Sequence, residues 1–236
     1  MNLSVIIPVY NEEDNVEQLF REIVQTLSEE PRLFEIVFID DGSTDDTVMR
    51  LRELAAQDAR LRVVCHQRNY GQSIALISGA RAAKYETLVT MDGDGQNDPA
   101  DIPHLCGLMR NNQTVVLGNR RKRNDNLIRR ISSRVGNGIR RRLLADECSD
   151  TNCSLKIFPR DAFLRLPHFN HLHRFLPALF MRDGLTLINV PVNHRPRLHG
   201  VSKYGVMNRL FVGIHDLIGV RWLMKRPCLP EIISHE

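Results

Sequence analysis

Leu88-Val89-Thr90-Met91-Asp92-Gly93-Asp94-Gly95-Gln96-Asn97-Asp98 is the stretch whose reading decides the fold. An apolar, β-branched run that breaks abruptly into acids and glycines has the pattern of a buried parallel strand whose carboxyl end opens into a site. Asp92 and Asp94 stand two residues apart where strand gives way to loop, so their carboxylates can converge on one hard divalent cation. Gly93 and Gly95 permit the backbone turns that such a loop needs. A Mg²⁺ or Mn²⁺ held this way commonly carries a phosphorylated substrate. A solvated acidic turn is the alternative for these two acids taken alone.

Working outward, the same pattern recurs. Leu3–Val9 reads as a strand with Pro8 near its end, followed by Tyr10-Asn11-Glu12-Glu13-Asp14. Asn11 is predicted to cap the next helix, with Glu12, Glu13 and Asp14 in its positive first turn and Val16, Leu19, Phe20, Ile23, Val24 and Leu27 on one face. A second strand, 34–39, runs into Asp40-Asp41-Gly42-Ser43, and a helix with Val48, Leu51, Leu54 and Ala55 on one face follows. Strand 61–65, a helix over 72–83, the central strand, a helix over 99–109 and strand 114–118 continue the rhythm. This alternation predicts an α/β fold, a mostly parallel central sheet flanked by helices, with ligands gathered beyond the carboxyl ends of the strands. Asp40, Asp41, Asp92 and Asp94 all fall on that edge.

After residue 119 the pattern changes. Residues 120–142 are densely basic, with Asp125 the only acid. A helix is predicted over 127–144, strands over 153–158 and 185–192, and a last helix over 204–224. That helix carries Phe211 and Trp222 on a largely apolar surface, with Arg209, Arg221, Lys225 and Arg226 beside them. Such a helix can lie in a lipid interface, and the alternative is ordinary packing on the sheet. The expected organisation is a catalytic domain over 1–203 and an amphipathic juxtamembrane segment with tail over 204–236.

The 236 residues, 42% hydrophobic with a net charge of +4, suit one compact core and exclude a disordered chain. The N-terminus enters directly into a strand pattern without a leader signature, and the five cysteines form no dense framework. Both predict a cytoplasmic protein with reduced thiols, and Cys148 and Cys153 lack the partners of a zinc site. No apolar run reaches the ~18 residues of a spanning helix, since 210–224 is broken by His215, Asp216 and Arg221. Neither G-x-G-x-x-G after the first strand nor G-x-x-x-x-G-K-[ST] is present, which disfavours a nicotinamide dehydrogenase and a phosphate-loop NTPase. Metal at Asp92 and Asp94, helped by the cations near Gly200, can neutralise phosphate instead.

Ile7-Pro8-Val9-Tyr10-Asn11-Glu12, Asp40-Asp41-Gly42-Ser43, Met91-Asp92-Gly93-Asp94-Gly95-Gln96 and Arg197-x-x-Gly200-x-Ser202-Lys203-Tyr204 together resemble the family 2 glycosyltransferases, specifically the polyprenyl- or dolichyl-phosphate sugar synthases. The resemblance covers about residues 1–225. It implies a GT-A nucleotide-diphospho-sugar transferase fold and inverting transfer of a sugar from a UDP- or GDP-linked donor to a membrane polyprenyl phosphate. By the same resemblance Pro8, Tyr10 and Glu12 line the nucleotide pocket, and either Asp40 or Asp41 contacts base or ribose. Asp92, Asp94 and Gln96 surround Mg²⁺ or Mn²⁺, while Arg197 and Lys203 hold the donor diphosphate on a closing loop. Arg120 and Arg134 collect the acceptor phosphate, and Asp150 stands where relatives have an acid near the acceptor, with capping or an Arg partner as its other roles.

A polyprenyl phosphate is already ionised near neutral pH, so its oxygen can attack without a strong base, and metal and cations stabilise the departing diphosphate. Relatives that span the membrane follow this domain with spanning helices, whereas this chain closes on a polar tail. The expectation is therefore a peripheral enzyme on the cytosolic face, anchored beside a separate membrane-spanning partner, with homo-oligomerisation left open. A saccharide hydroxyl as acceptor would need a well-placed carboxylate base and would not explain the basic stretch. An RNA-binding module is disfavoured, because no aromatic platform interleaves the arginines and the acidic edge repels a phosphate backbone. No nucleic acid partner is expected.

Overall fold

The computed structural model describes residues 1–120, 138, 140, 142–144, 146, 148, 150–197 and 206–226, without the side chains of 206–212. Seven strands form one sheet: β1 Leu3–Val9, β2 Phe34–Asp40, β3 Leu61–Cys65, β4 Thr87–Thr90, β5 Thr114–Arg120, β6 Lys156–Pro159 and β7 Thr186–Val192, in the order β3-β2-β1-β4-β6-β5-β7. All pairings are parallel except those of β6, which runs antiparallel between β4 and β5. The helices are α1 Val16–Ser28, α2 Thr47–Gln57, α3 Gln72–Ala82, α4 Ile102–Leu108, α5 Arg160–Arg165, α6 Leu176–Arg182 and α7 Val206–Met224.

β1 through β3 step one way across the sheet and β4 lies on the other side of β1, so the strand order reverses between β1 and β4. At such a switch point the loops leaving the two strands diverge and open a crevice. The loops after β1 and β4 hold Tyr10-Asn11-Glu12 and Asp92-Gly93-Asp94. Two apolar layers hold the sheet in place. One packs α1, α2 and α4 through Leu19, Ile23, Leu51 and Leu105 on one face, and the other packs α3, α5 and α6 through Ala75, Phe163, Leu179 and Phe180 on the opposite face.

The first helix begins later than its sequence suggests. Asn11 adopts a left-handed conformation (φ 52°), its amide donates to Ser43 Oγ, and its side chain accepts from the Thr44 amide, so it ties two loops together instead of capping. The helix starts at Val16, with Asn15 at the cap position. The expected helix over 99–109 is a 3-10 turn, Pro99–Asp101, continuous with α4. Sequence periodicity gave no sign of α5, α6 or the turn Leu172–Arg174, because these pieces are too short to repeat a 3.6-residue pattern.

Helix α3 lies unusually close to the sheet, and Gly79 is the reason. A Cβ there would sit 2.4 Å from Ile6 Cγ2 and 2.7 Å from Ile39 Cδ1. Gln72 in the first turn of the same helix lines the cavity, so this close approach helps position it. Gly79→Val is expected to destabilise the fold by about 1–3 kcal/mol through overpacking, measured by urea denaturation. An unchanged midpoint would show that α3 can back away from the sheet.

Candidate active site

Two and four residues past β4, Asp92 and Asp94 are held by a set of hydrogen bonds that fixes their loop. The Asp92 amide donates to Asn97 Oδ1 (3.2 Å), and Ser154 Oγ donates to the same oxygen (2.6 Å). Asn97 is buried and bridges to His194, so one asparagine ties the acidic loop to the segment before β6 and the segment after β7. Gly93 is required sterically, since a Cβ would approach Val9 Cγ1 to 2.4 Å. Gln72 Nε2 donates to Asp92 Oδ1 (2.7 Å), and Arg197 donates to Asp94 Oδ2 (2.5 Å). The Gln96 amide donates to Asp94 Oδ1 (3.1 Å), and its side chain is turned toward the Arg195 carbonyl (3.4 Å).

Burial and the neighbouring Asp94 charge push the Asp92 carboxyl up to about 6. Two acids are thus crowded into a half-buried corner, and the Arg197 guanidinium answers only one of them. This environment fits a divalent cation: two carboxylates with an amide beside them, leaving the rest of an octahedral shell to water and diphosphate oxygens, is an ordinary Mg²⁺ or Mn²⁺ arrangement. No group of three or more His, Cys, Asp or Glu side chains suited to a metal occurs among the described residues, so the protein contribution is a small ligand set.

The other strand-end acids serve the loops. Asp40 accepts from the amides of Gly42 (3.2 Å) and Ser43 (3.1 Å). Asp41 accepts from the amides of Tyr70 (2.9 Å) and Gly71 (2.7 Å) and meets His66 Nδ1 at 2.7 Å. Pro8 and Tyr10 sit half-buried at the end of β1, and Glu12 accepts from Asn15 Nδ2 (2.7 Å) at the start of α1. Of the roles the sequence left open for Asp150, the structure shows the Arg partner. Arg120 Nε and a terminal nitrogen reach its two oxygens at 2.6 and 2.8 Å, and both side chains are nearly buried. Lys203 and Arg134 lie outside the described residues, as does most of the basic stretch.

A cavity of about 780 Å³ opens from Asp92 toward the β6 side of the sheet. Its walls carry Arg120, Lys156 and Arg174 together with Gln72, His171 and His173, so the acid Asp92 and three cations share one cavity. Sequence reading missed Gln72, Asn97, Lys156 and the 170–176 wall. Asn97, before an Asp-Pro helix start, carried a local signal for structure and none for its long-range contacts.

The fold and the site together define a class: a nucleotide-diphospho-sugar transferase of the GT-A type. The chain belongs to Glycosyl transferase family 2, which matches residues 4–166. It is 35% identical over 235 residues to the dodecaprenyl-phosphate galacturonate synthase of Rhizobium johnstonii, covering 98% of this chain and 69% of that protein. It is also 35% identical over 217 residues to the undecaprenyl-phosphate 4-deoxy-4-formamido-L-arabinose transferase of Edwardsiella ictaluri, covering 92% of this chain and 66% of that one. The chain thus spans about two thirds of the length of these curated relatives. Among solved structures, glucosyl-3-phosphoglycerate synthase of Mycobacterium tuberculosis with Mn²⁺, UDP-glucose and glycerol 3-phosphate shares the fold, with a TM-score of 0.67 and 21% identity over 98% of this chain and 81% of that one. Another structure of that enzyme holds Mg²⁺ and UDP.

The crowding at Asp92 gives a prediction with a definite sign. Because its carboxyl holds a proton more tightly folded than unfolded, the metal-free fold loses stability as pH climbs from about 4 through about 6. Asp92→Asn is therefore expected to melt about 2–4 °C above wild type at pH 8 without metal, a gain that disappears at pH 4. It should also lose the rise in melting temperature that Mn²⁺ gives wild type. A variant that melts no higher at pH 8 would contradict the repulsion.

Proposed function

We propose that this chain moves a sugar, with inversion, from a nucleotide-diphospho-sugar to the phosphate of a membrane polyprenyl phosphate. The observation that carries the reading is the cavity in which Asp92 and three cations meet. Asp92 suits a metal-bound donor diphosphate, and Arg120, Lys156 and Arg174 in the same cavity suit a second anion, that of the acceptor. The names of the curated relatives support the same acceptor class.

A Mg²⁺ or Mn²⁺ held by Asp92, Asp94 and Gln96 would supply charge neutralisation for the leaving nucleotide diphosphate. The chain's own residues do the rest. Pro8, Tyr10 and Glu12 bound the nucleotide side of the crevice, while Asp40 and Asp41 hold the loops against which the UDP or GDP moiety rests. Arg197, now on Asp94, moves to the diphosphate when the donor arrives, and Lys203 joins it. Asp150 orients Arg120 in a two-point grip, which presents a fixed guanidinium to the acceptor phosphate, a role the resemblance also gives to Arg134. The acceptor phosphate attacks without a base, so an Asp150 occupied by Arg120 is no obstacle.

The acceptor's isoprenoid stays in the bilayer, and α7 offers a surface to match. Val220 is buried and Leu217, Leu223 and Met224 pack on the core, whereas Ile214, Ile218 and Trp222 are 48%, 64% and 55% exposed. Their i, i+4, i+8 spacing makes one stripe, with Arg226 stacked over Trp222 at 4.7 Å. One face of this helix, with Leu217, packs on the core, and the exposed stripe on the other supports the lipid-facing reading. No helix among the described residues is long and apolar enough to cross a membrane. The reading is of peripheral attachment on the cytosolic face, beside a separate membrane-spanning partner.

The test is a transfer screen: polyprenyl phosphate with labelled UDP- and GDP-sugars, scored by extraction into the lipid phase. Wild type is expected to label lipid with at least one donor. Chelation or Asp94→Asn should lower the rate roughly a hundredfold or more. Arg197→Ala should lower kcat more than it weakens donor affinity, because its contact matters most as charge develops on the diphosphate. Full activity in chelator would contradict the metal role, and transfer only to saccharide hydroxyls would contradict the acceptor. Trp222→Glu should also weaken flotation with anionic liposomes at high salt, where an apolar contact persists and charge attraction is screened.

A further inference from the structure

At the cavity that Asp92 and His173 line, two residues a hundred positions apart form a contact with no part in metal or phosphate binding. Ser73, fully buried in the first turn of α3, has its Oγ 2.8 Å from His173 Nδ1 and accepts the His173 backbone amide at 3.2 Å. The serine proton needs a partner, since a buried hydroxyl without one is destabilising. Among the described residues His173 Nδ1 is the acceptor in reach. Ser73 therefore donates to Nδ1, and the ring proton is placed on Nε2. His173 lines the cavity, and Nε2 makes no hydrogen bond among the described residues.

We propose that His173 is a specificity residue of the transferase, its Nε2–H held by Ser73 as a neutral donor to a hydroxyl of the transferred sugar. The assignment rests on the reading of the cavity as the place where donor sugar and acceptor phosphate meet. Charge matching selects the ligand. Three cations, Arg120, Lys156 and Arg174, already line this cavity and suit anionic oxygens. An imidazole placed among them is kept uncharged: burial first, then Arg174, Lys156 and His171, lower its affinity for a proton to about 3. A neutral N–H adds little for a phosphate beside three cations. For a sugar hydroxyl it gives direction, accepting no proton and leaving the hydroxyl to place its own hydrogen elsewhere. A polar group aimed at a substrate hydroxyl also discriminates strongly, because a sugar lacking that hydroxyl leaves the N–H without its partner once substrate fills the cavity.

The first arm of the test needs no substrate. In protein labelled with ¹⁵N-histidine, long-range proton–nitrogen spectra assign tautomers, and the His173 signals are identified by their loss in His173→Gln. The expected result is the Nε2–H tautomer, unchanged from pH 8 to pH 5, with Ser73→Ala mixing the tautomers. An Nδ1–H ring, or one that titrates near 6.5, would overturn the assignment.

The second arm uses the donor found in the transfer screen and a series of its deoxy analogues. His173→Phe is expected to lose roughly tenfold in kcat/KM with the parent sugar and nothing further with one analogue, the one lacking the hydroxyl that His173 meets. His173→Gln keeps an amide donor and should retain most of the rate, which separates a lost hydrogen bond from a disturbed fold. Losses that multiply independently for every analogue would overturn the proposal, as would a change confined to KM for polyprenyl phosphate. Failure of wild type to transfer any sugar would instead remove the transferase reading, while the tautomer result would still judge the Ser73–His173 arrangement.

Discussion

Two like charges are held at the end of one strand, and the rest of the structure is arranged around keeping them there. Asp92 and Asp94 repel, burial makes the repulsion worse, and the pair persists because neighbouring elements over-determine the loop. Asn97 grips the backbone from one side, Gln72 and Arg197 answer one carboxylate each, and Gly93 lets the chain pass against Val9. Residues held in such costly arrangements mark functional sites, because stability alone would not select them. The Asp94–Arg197 ion pair is the most telling contact. It puts a cation where a metal would sit, on a segment that the family motif associates with diphosphate binding.

The sheet order explains why the site is where it is. The loops after β1 and β4 part at the switch point, and the antiparallel β6 then brings Ser154 and Lys156 to the same edge from the opposite direction. A wholly parallel sheet would have placed the start of β6 at the far end. That one reversed strand gives the cavity its cationic wall, since Arg120 ends β5 and Lys156 begins β6. The cost of burying Arg120 is met by Asp150 with two-point geometry, the arrangement in which a buried pair is least unfavourable.

Much of this was legible in the sequence, and the limits have physical causes. β1 and β3 were read to the residue because apolar β-branched runs bounded by polar turns have few other solutions. The acidic edge was readable because α/β geometry sends every parallel strand's carboxyl end to one side. Asn11 was misread as a cap because local sequence cannot show that its partners, Ser43 and Thr44, arrive from thirty residues away. The same limit hid the Ser73–His173 pair and the wall around 170–176, where short turns carry no periodic signal. Asp40 and Asp41 stand at the carboxyl end of β2 as the strand pattern places them, yet sequence could not reveal that Asp40 faces the amides of its own loop and Asp41 those of the loop after β3.

The account stands on the acidic strand end being a metal site that Arg197 guards in the metal-free protein. Mn²⁺ titration followed by electron paramagnetic resonance, without nucleotide at pH 7.5, tests this most directly. Wild type is expected to take up about one Mn²⁺ per chain, Arg197→Ala to bind it several-fold more tightly, and Asp92→Asn/Asp94→Asn to bind none. Equal binding by wild type and the carboxylate variant, or weaker binding by Arg197→Ala, would contradict it.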